Sequence, residues 1–185
     1  LREEMRVELK EVSRAVGITT FFVTHDQLEA LALSDIVGVI MAGELIEMGA
    51  PYQMYVRPNN KLVAEFVGTA HSLQGRVARM GAKGAVETEL GPISVDLSDT
   101  DLASNDSVFV VIRPEGLVCS RDGGGISDNM FEGTIKRALF LGNFIDGEVQ
   151  IKDKIFRALL SPYQAFHAGE KVFVHVPPER CQVTR

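Results

Sequence analysis

Four consecutive residues, Thr24-His25-Asp26-Gln27, offer the first chemistry in this sequence. They close a β-branched and aromatic run, Ile18 to Val23, and open an Ala/Leu-rich segment of helical spacing. A continuous apolar run of that length reads as a fully buried strand of a parallel sheet covered by helices. Such sheets take their ligands at the carboxyl ends of the strands. His25 stands at that end and at the start of the next helix, where free N–H groups and the helix dipole favour an anion. A neutral imidazole there can donate one hydrogen bond to a phosphate oxygen or position a water. Asp26 beside it suits the same end of the dipole. Thr24 and Gln27 also stand in the relation of a capping box, just ahead of Leu28, Leu31 and Ala32. Thr24, His25 and Asp26 acting only as helix caps account for the spacing equally well, so the residue types leave both readings open.

The remaining reactive side chains are scattered. His71, His167 and His175 hold no metal-ligand spacing with one another or with Cys119 and Cys181, so no metal site is expected. The cysteines lack a CxxC pattern and read as free thiols of a reducing compartment, with a disulfide as the alternative. Arg113-Pro114-Glu115 follows an apolar run; an ion pair or a turn is expected there, with a small-anion or effector site at a dimer face as the alternative. The stretch "RDGGGISDN", Arg121 to Asn129, lacks the strand before it and the helix after it that a phosphate loop needs, and reads as a mobile connection. No G-x-x-x-x-G-K-[ST] loop occurs. "GAKGAVE" around Lys83 has too few intervening residues to be one.

These side chains must be positioned by two kinds of element. Met5, Leu9, Val12 and Val16 continue a helical stripe from Leu1, with Gly17 as the stop. Because the sequence opens in mid-helix without an initiator Met, it reads as a piece of something longer. Ile36–Met41 and Glu44–Met48 read as strands turning at Ala42-Gly43. Pro51 opens a short helix, and Asn59 or Asn60 caps another that runs to Val67 before Gly68. From about Ser72 the helical period disappears. Short runs such as "QGRVARMG", "GAVETEL", "SVFVVIRPEG", "FEGTIKRALFLGN" and "KVFVHVPPE" alternate with Gly, Asp and Asn turns, the pattern of a small barrel or sandwich. Phe140, Phe144, Phe156, Phe166 and Phe173 are expected in its core, and His175 to point out of a half-buried strand. The composition, 45% hydrophobic and 24% charged, supports a core, and a formal net charge of −6 argues against a nucleic-acid surface. The apolar run from Ile36 is too short to span a membrane.

Taken together, residues 1–68 resemble the end of the nucleotide-binding subunit of ABC-type importers. "FVTHDQLEALALSD" is similar to the strand and H-loop of that family, "IMAGELIEMGAP" to its following hairpin, and "YVRPNNKLVAEFVG" to its last helices. "VVIRPEGL" and "FEGTIKRALFLGN" resemble motifs of the OB-like TOBE domain fused to importers of polyamines, ferric iron, sulfate and maltose. The resemblance implies an α/β remnant of a P-loop nucleotide-binding domain over 1–70, followed by an all-β OB-like TOBE barrel over 71–185. It implies that His25 is the switch histidine that contacts the γ-phosphate of ATP, with Asp26 shaping the same loop. The intact parent would use ATP and Mg2+ to drive solute import. It would act as a homodimer bound to permease subunits, indirectly served by a solute-binding protein, at the cytoplasmic face of the membrane. The phosphate cradle, signature motif and Asp-Glu strand of that family precede the position where this sequence begins, so these residues alone are expected neither to hydrolyse ATP nor to bind it. A stand-alone anion- or effector-binding OB-like module without ATPase activity is the competing expectation.

Overall fold

A computed structural model describes residues 2–123, 125 and 128–185. Leu1, and with it the first position of the helical stripe, lies outside the described residues, as do Gly124, Ile126 and Ser127 of the Arg121–Asn129 connection. The chain separates into two units, one ending at Gly68 and one running from Thr69 to Arg185. Among the described residues no helix is long and apolar enough to cross a membrane.

The first unit opens with α1 (Arg2–Val16), which Gly17 stops at φ +69° while its N–H bonds back to the Ser13 carbonyl. A left-handed residue at this point costs a glycine nothing, because there is no Cβ to clash. Arg6, Lys10 and Arg14 recur every four residues and so share one face of α1. Arg6 pairs with Asp26 at 3.0 Å, Lys10 donates to the Ala32 carbonyl at 2.9 Å, and Arg14 reaches Asp35 at 3.3 Å. The ridge thus clasps α2 (Gln27–Leu33) from its N-cap to just past its C-terminus, where cations complement the exposed carbonyls. Met5, Leu9, Val12 and Val16 remain exposed.

The expected buried strand at Ile18–Val23 is not formed. No strand is present there, Phe21 is 92% exposed and Val23 83% exposed. A strand exists only through the ladder it makes with a neighbour, and no described segment pairs with this one. An α/β sheet is therefore not displayed. The unit's sheet is the antiparallel hairpin of β1 (Val37–Met41) and β2 (Glu44–Gly49). Ala42 and Gly43 turn it with φ of +51° and +84°, the pair of left-handed residues that matches strand twist in a two-residue turn. α3 (Pro51–Val56) and α4 (Lys61–Phe66) follow, the latter capped by Asn60, whose Oδ1 accepts from the Leu62 N–H at 2.8 Å. Val37, Val39, Met54, Val63 and Val67 form the small core.

The second unit is all-β. One sheet contains β3 (His71–Arg79), β4 (Gly84–Thr88), β5 (Gly91–Val95), β6 (Ser107–Ile112) and β12 (Cys181–Thr184) in the order β12-β6-β3-β4-β5. The other contains β7 (Val118–Ser120), β8 (Met130–Phe140), β9 (Ile145–Ile151), β10 (Lys154–Leu160) and β11 (Lys171–His175) in the order β10-β9-β8-β11-β7. All pairings are antiparallel. Alternating residues of both sheets, including Leu73, Val86, Ile93, Val110, Ile135, Val149, Phe156 and Val174, share a single core. This is a mostly-β, OB-like arrangement of two curled sheets. Phe156 and Phe166 are in that core, as expected, but Phe140 is 65% exposed. It is the last residue of β8, in a stretch of that strand whose closing residues are exposed.

Two side chains stitch the unit at places far apart in sequence. Asn129 is buried with φ +51°, and its Nδ2 donates to the carbonyls of Ser94 (2.8 Å) and Val176 (3.0 Å). Its Oδ1 accepts from the Ser94 N–H at 2.7 Å. His71, the first residue of β3, accepts through Nε2 from the Arg157 N–H of β10 at 2.9 Å, and its ring tilts against Phe156 at a centroid distance of 5.0 Å.

Candidate functional site

In the first unit, His25 lies in the bend before α2 with its side chain exposed, while its two neighbours are fixed. Asp26 is the N-cap: its Oδ1 accepts from the N–H groups of Leu28 (2.9 Å) and Glu29 (3.2 Å). Its Oδ2 holds Arg6 at 3.0 Å, and Arg6 also reaches Glu29 at 3.9 Å. Thr24 Oγ1 accepts from the Asp26 N–H and donates to Glu29 Oε2, both at 2.9 Å. The cap is therefore two residues later than the Thr24–Gln27 box the sequence predicts. Asp26 wins because its carboxylate can serve α2 and Arg6 together, a charge-assisted pair of contacts that a threonine hydroxyl cannot make. Gln27 is released from any capping role, and its Oε1 accepts from the Gly68 N–H at 2.9 Å.

That arrangement corrects a second expectation. The first N–H groups of α2 are not open to a phosphate, since Asp26 Oδ1 already occupies them. The His25 ring makes no hydrogen bond within the described residues, and an imidazole can donate one.

In the second unit the sequence-predicted Arg113-Pro114-Glu115 forms a tight turn. Pro114–Gly116 is a short 3-10 helix, the Gly116 N–H bonds to the Arg113 carbonyl at 2.8 Å, and Arg113 itself is buried. Its Nη1 donates to the Thr69 carbonyl at 3.3 Å. The charged centre of this unit lies elsewhere, at a residue sequence reasoning did not single out. Asp146 on β9 is buried, with Arg157 Nε of β10 at 2.6 Å and Arg137 Nη2 of β8 at 3.5 Å. The hydrogen bond from Arg157 is the main reason its carboxyl is held below the usual carboxylate range. Arg157 also reaches the Thr69 hydroxyl at 3.3 Å. The neighbouring His71 ring is pushed to a lower pKa, chiefly by burial. Cys119 and Cys181 are free and buried, their thiols raised to about 12 by burial. Among the described residues no three His, Cys, Asp or Glu side chains gather to hold a metal.

Comparison with known proteins places these features. A family model described as TOBE domain matches residues 110–183. The spermidine/putrescine import ATP-binding protein PotA of Pseudomonas fluorescens is 33% identical over 98% of this chain and 50% of its own length. That of Clostridium acetobutylicum is 32% identical over 100% of this chain and 49% of its own. The chain thus spans about half the length of the curated relatives it matches, and it matches their C-terminal half. Among solved structures, the cytoplasmic molybdate-binding protein ModG with molybdate bound has a TM-score of 0.52 at 13% identity, covering 62% of this chain and 94% of that one. At that identity the likeness is one of fold.

Proposed function

The chain is related along its whole length to the C-terminal part of ABC-importer ATP-binding subunits and carries their TOBE domain, and from that premise we propose that the complete protein couples ATP hydrolysis to uptake of a polyamine, with His25 as its switch histidine. The collinear relationship over 98% and 100% of the chain carries this reading, because it spans both units and both relatives are spermidine/putrescine import ATP-binding proteins. In it, residues 1–70 are the end of the α/β nucleotide-binding domain, and residues 71–185 are a TOBE domain serving dimerisation and regulation. The protein works as a homodimer on permease subunits at the cytoplasmic face of the membrane, supplied by a solute-binding protein.

ATP and Mg2+ require more donors than the described residues supply. No cluster of metal ligands is present among them, and the start of α2 is filled by its own aspartate. The part of these residues is to present the His25 imidazole at the end of a pinned loop, where it donates to the terminal phosphate and registers its loss after cleavage.

The test is ATP hydrolysis by the full-length protein and its His25→Ala variant, assembled with the permease. Loss of one preorganised donor to developing charge lowers kcat by about a hundredfold, with KM for ATP little changed. An unchanged kcat refutes the role of His25. Uptake of labelled spermidine, with sulfate and ferric iron as competitors, tests the solute.

A further inference from the structure

We infer that Arg6 of α1 is a positioning residue for His25, an inference that rests on the proposed role of that histidine. The geometry is a closed brace with His25 at its open point. Arg6 is well covered, with 16% of its side chain exposed, and stands between two carboxylates, Asp26 at 3.0 Å and Glu29 at 3.9 Å. Asp26 follows His25 directly and fixes the start of α2. Glu29 reaches back to Thr24, the residue before His25, at 2.9 Å, and Thr24 in turn receives the Asp26 N–H. Both backbone neighbours of His25 are thereby tied to one guanidinium lying twenty residues before Asp26, while the imidazole makes no hydrogen bond among the described residues.

The consequence is electrostatic as well as geometric. Without Arg6, Asp26 and Glu29 become adjacent carboxylates with no shared cation, and like charges at that spacing repel. Glu29 then swings outward, Thr24 loses its acceptor, and the bend carrying His25 samples other conformations. A donor that must meet a phosphate oxygen within hydrogen-bond range loses most of its effect when displaced by about an ångström. Arg6 touches no substrate in this scheme and acts only through the loop. Its planar fork suits two carboxylates at once, which a lysine ammonium does only in part.

The experiment uses the full-length protein with Arg6→Met, Arg6→Lys, His25→Ala and the Arg6→Met/His25→Ala double variant. Hydrogen exchange of the peptide covering Thr24–Glu29 is expected to accelerate about tenfold in Arg6→Met, while the β unit keeps its protection. In hydrolysis assays Arg6→Met lowers kcat by about tenfold with KM for ATP within about twofold, and Arg6→Lys recovers part of the loss. On the His25→Ala background Arg6→Met adds nothing, because its effect passes through that residue. Unchanged exchange in the loop, or kcat losses that multiply in the double variant, overturns the proposal. If His25→Ala hydrolyses ATP like the wild type, the switch-histidine reading fails by itself, and the exchange measurement alone decides whether Arg6 fixes the loop.

Discussion

Acidification between pH 7.5 and 5.0 should weaken the β unit through one side chain, His71. The ring nitrogen Nε2 accepts the Arg157 N–H at 2.9 Å, and the same nitrogen lies 3.1 Å from the Arg157 carbonyl. Only the form with an unprotonated Nε2 can accept, so the folded unit favours the neutral imidazole. Burial against Phe156 is the largest influence in the same direction and outweighs the opposing pull of the Arg157 backbone contact, and the Arg157 guanidinium adds to it. Arg113 follows Ile112, the residue paired with His71, and Asp146 holds the Arg157 guanidinium in an ion pair at 2.6 Å. The folded pKa therefore lies below the unfolded value, and the unfolded chain binds the extra proton. Stability is complete above pH 6.5 and is lost as pH falls toward the folded pKa. The slope for one proton cannot exceed about 1.4 kcal/mol per pH unit, and partial exposure of the ring keeps it below that ceiling. Scanning calorimetry resolves the β unit's transition, and the decisive comparison is wild type against His71→Gln, which offers an amide acceptor that does not titrate. The wild-type transition temperature should fall with pH while the variant's falls less, the difference opening only below pH 6.5. Parallel curves would mean that another group titrates and that the His71–Arg157 contact does not select a protonation state.

Other measurements address the rest of the architecture. Asn129→Ala should cost about 2–4 kcal/mol in denaturant unfolding, because it strands the Ser94 N–H and the carbonyls of Ser94 and Val176 in buried surroundings. Asn129→Gly, which removes any strain of the positive φ, should not recover that loss. Cys119 and Cys181, raised to about 12 by burial, should resist a water-soluble disulfide reagent at pH 8 in the folded chain and react within seconds in denaturant. Rapid labelling of the native chain would show that the β core opens far more readily than its packing implies.

Much of the β unit is legible in the sequence because its strands alternate apolar and polar residues between Gly, Asp and Asn turns. β7 and β12 escape because three and four residues are too few to show a period. Ile18–Val23 has every local preference of a buried strand, yet composition says nothing about whether a ladder partner is present. The cap at Asp26 is misread from sequence for a related reason: Thr24 and Asp26 are both eligible, and the choice is made by Arg6, twenty positions away. Asn129 and His71 are harder still. Their partners lie 35 to 86 residues distant, and nothing local separates Asn129 from an ordinary loop asparagine. The Thr24–Gln27 segment draws attention at once by its position between two kinds of pattern, while the Arg6–Asp26–Glu29 brace around it emerges only in three dimensions.

The first sheet of the β unit has a mechanical consequence. β3 and β12 flank β6 and run parallel to each other, with His71 level with Ile112 and Cys181, and Gln74 level with Phe109 and Thr184. A pull applied through the chain ends enters at His71 and leaves past Thr184, so the load runs along the strands. The ladders on either side of β6 are sheared, their bonds loaded together, and cannot be peeled open one at a time. The shorter β6–β12 ladder, with four pairs against six, is where that tether yields. A domain attached in this way passes a pull from the preceding chain into its body until the edge strand β12 shears from β6 as one block.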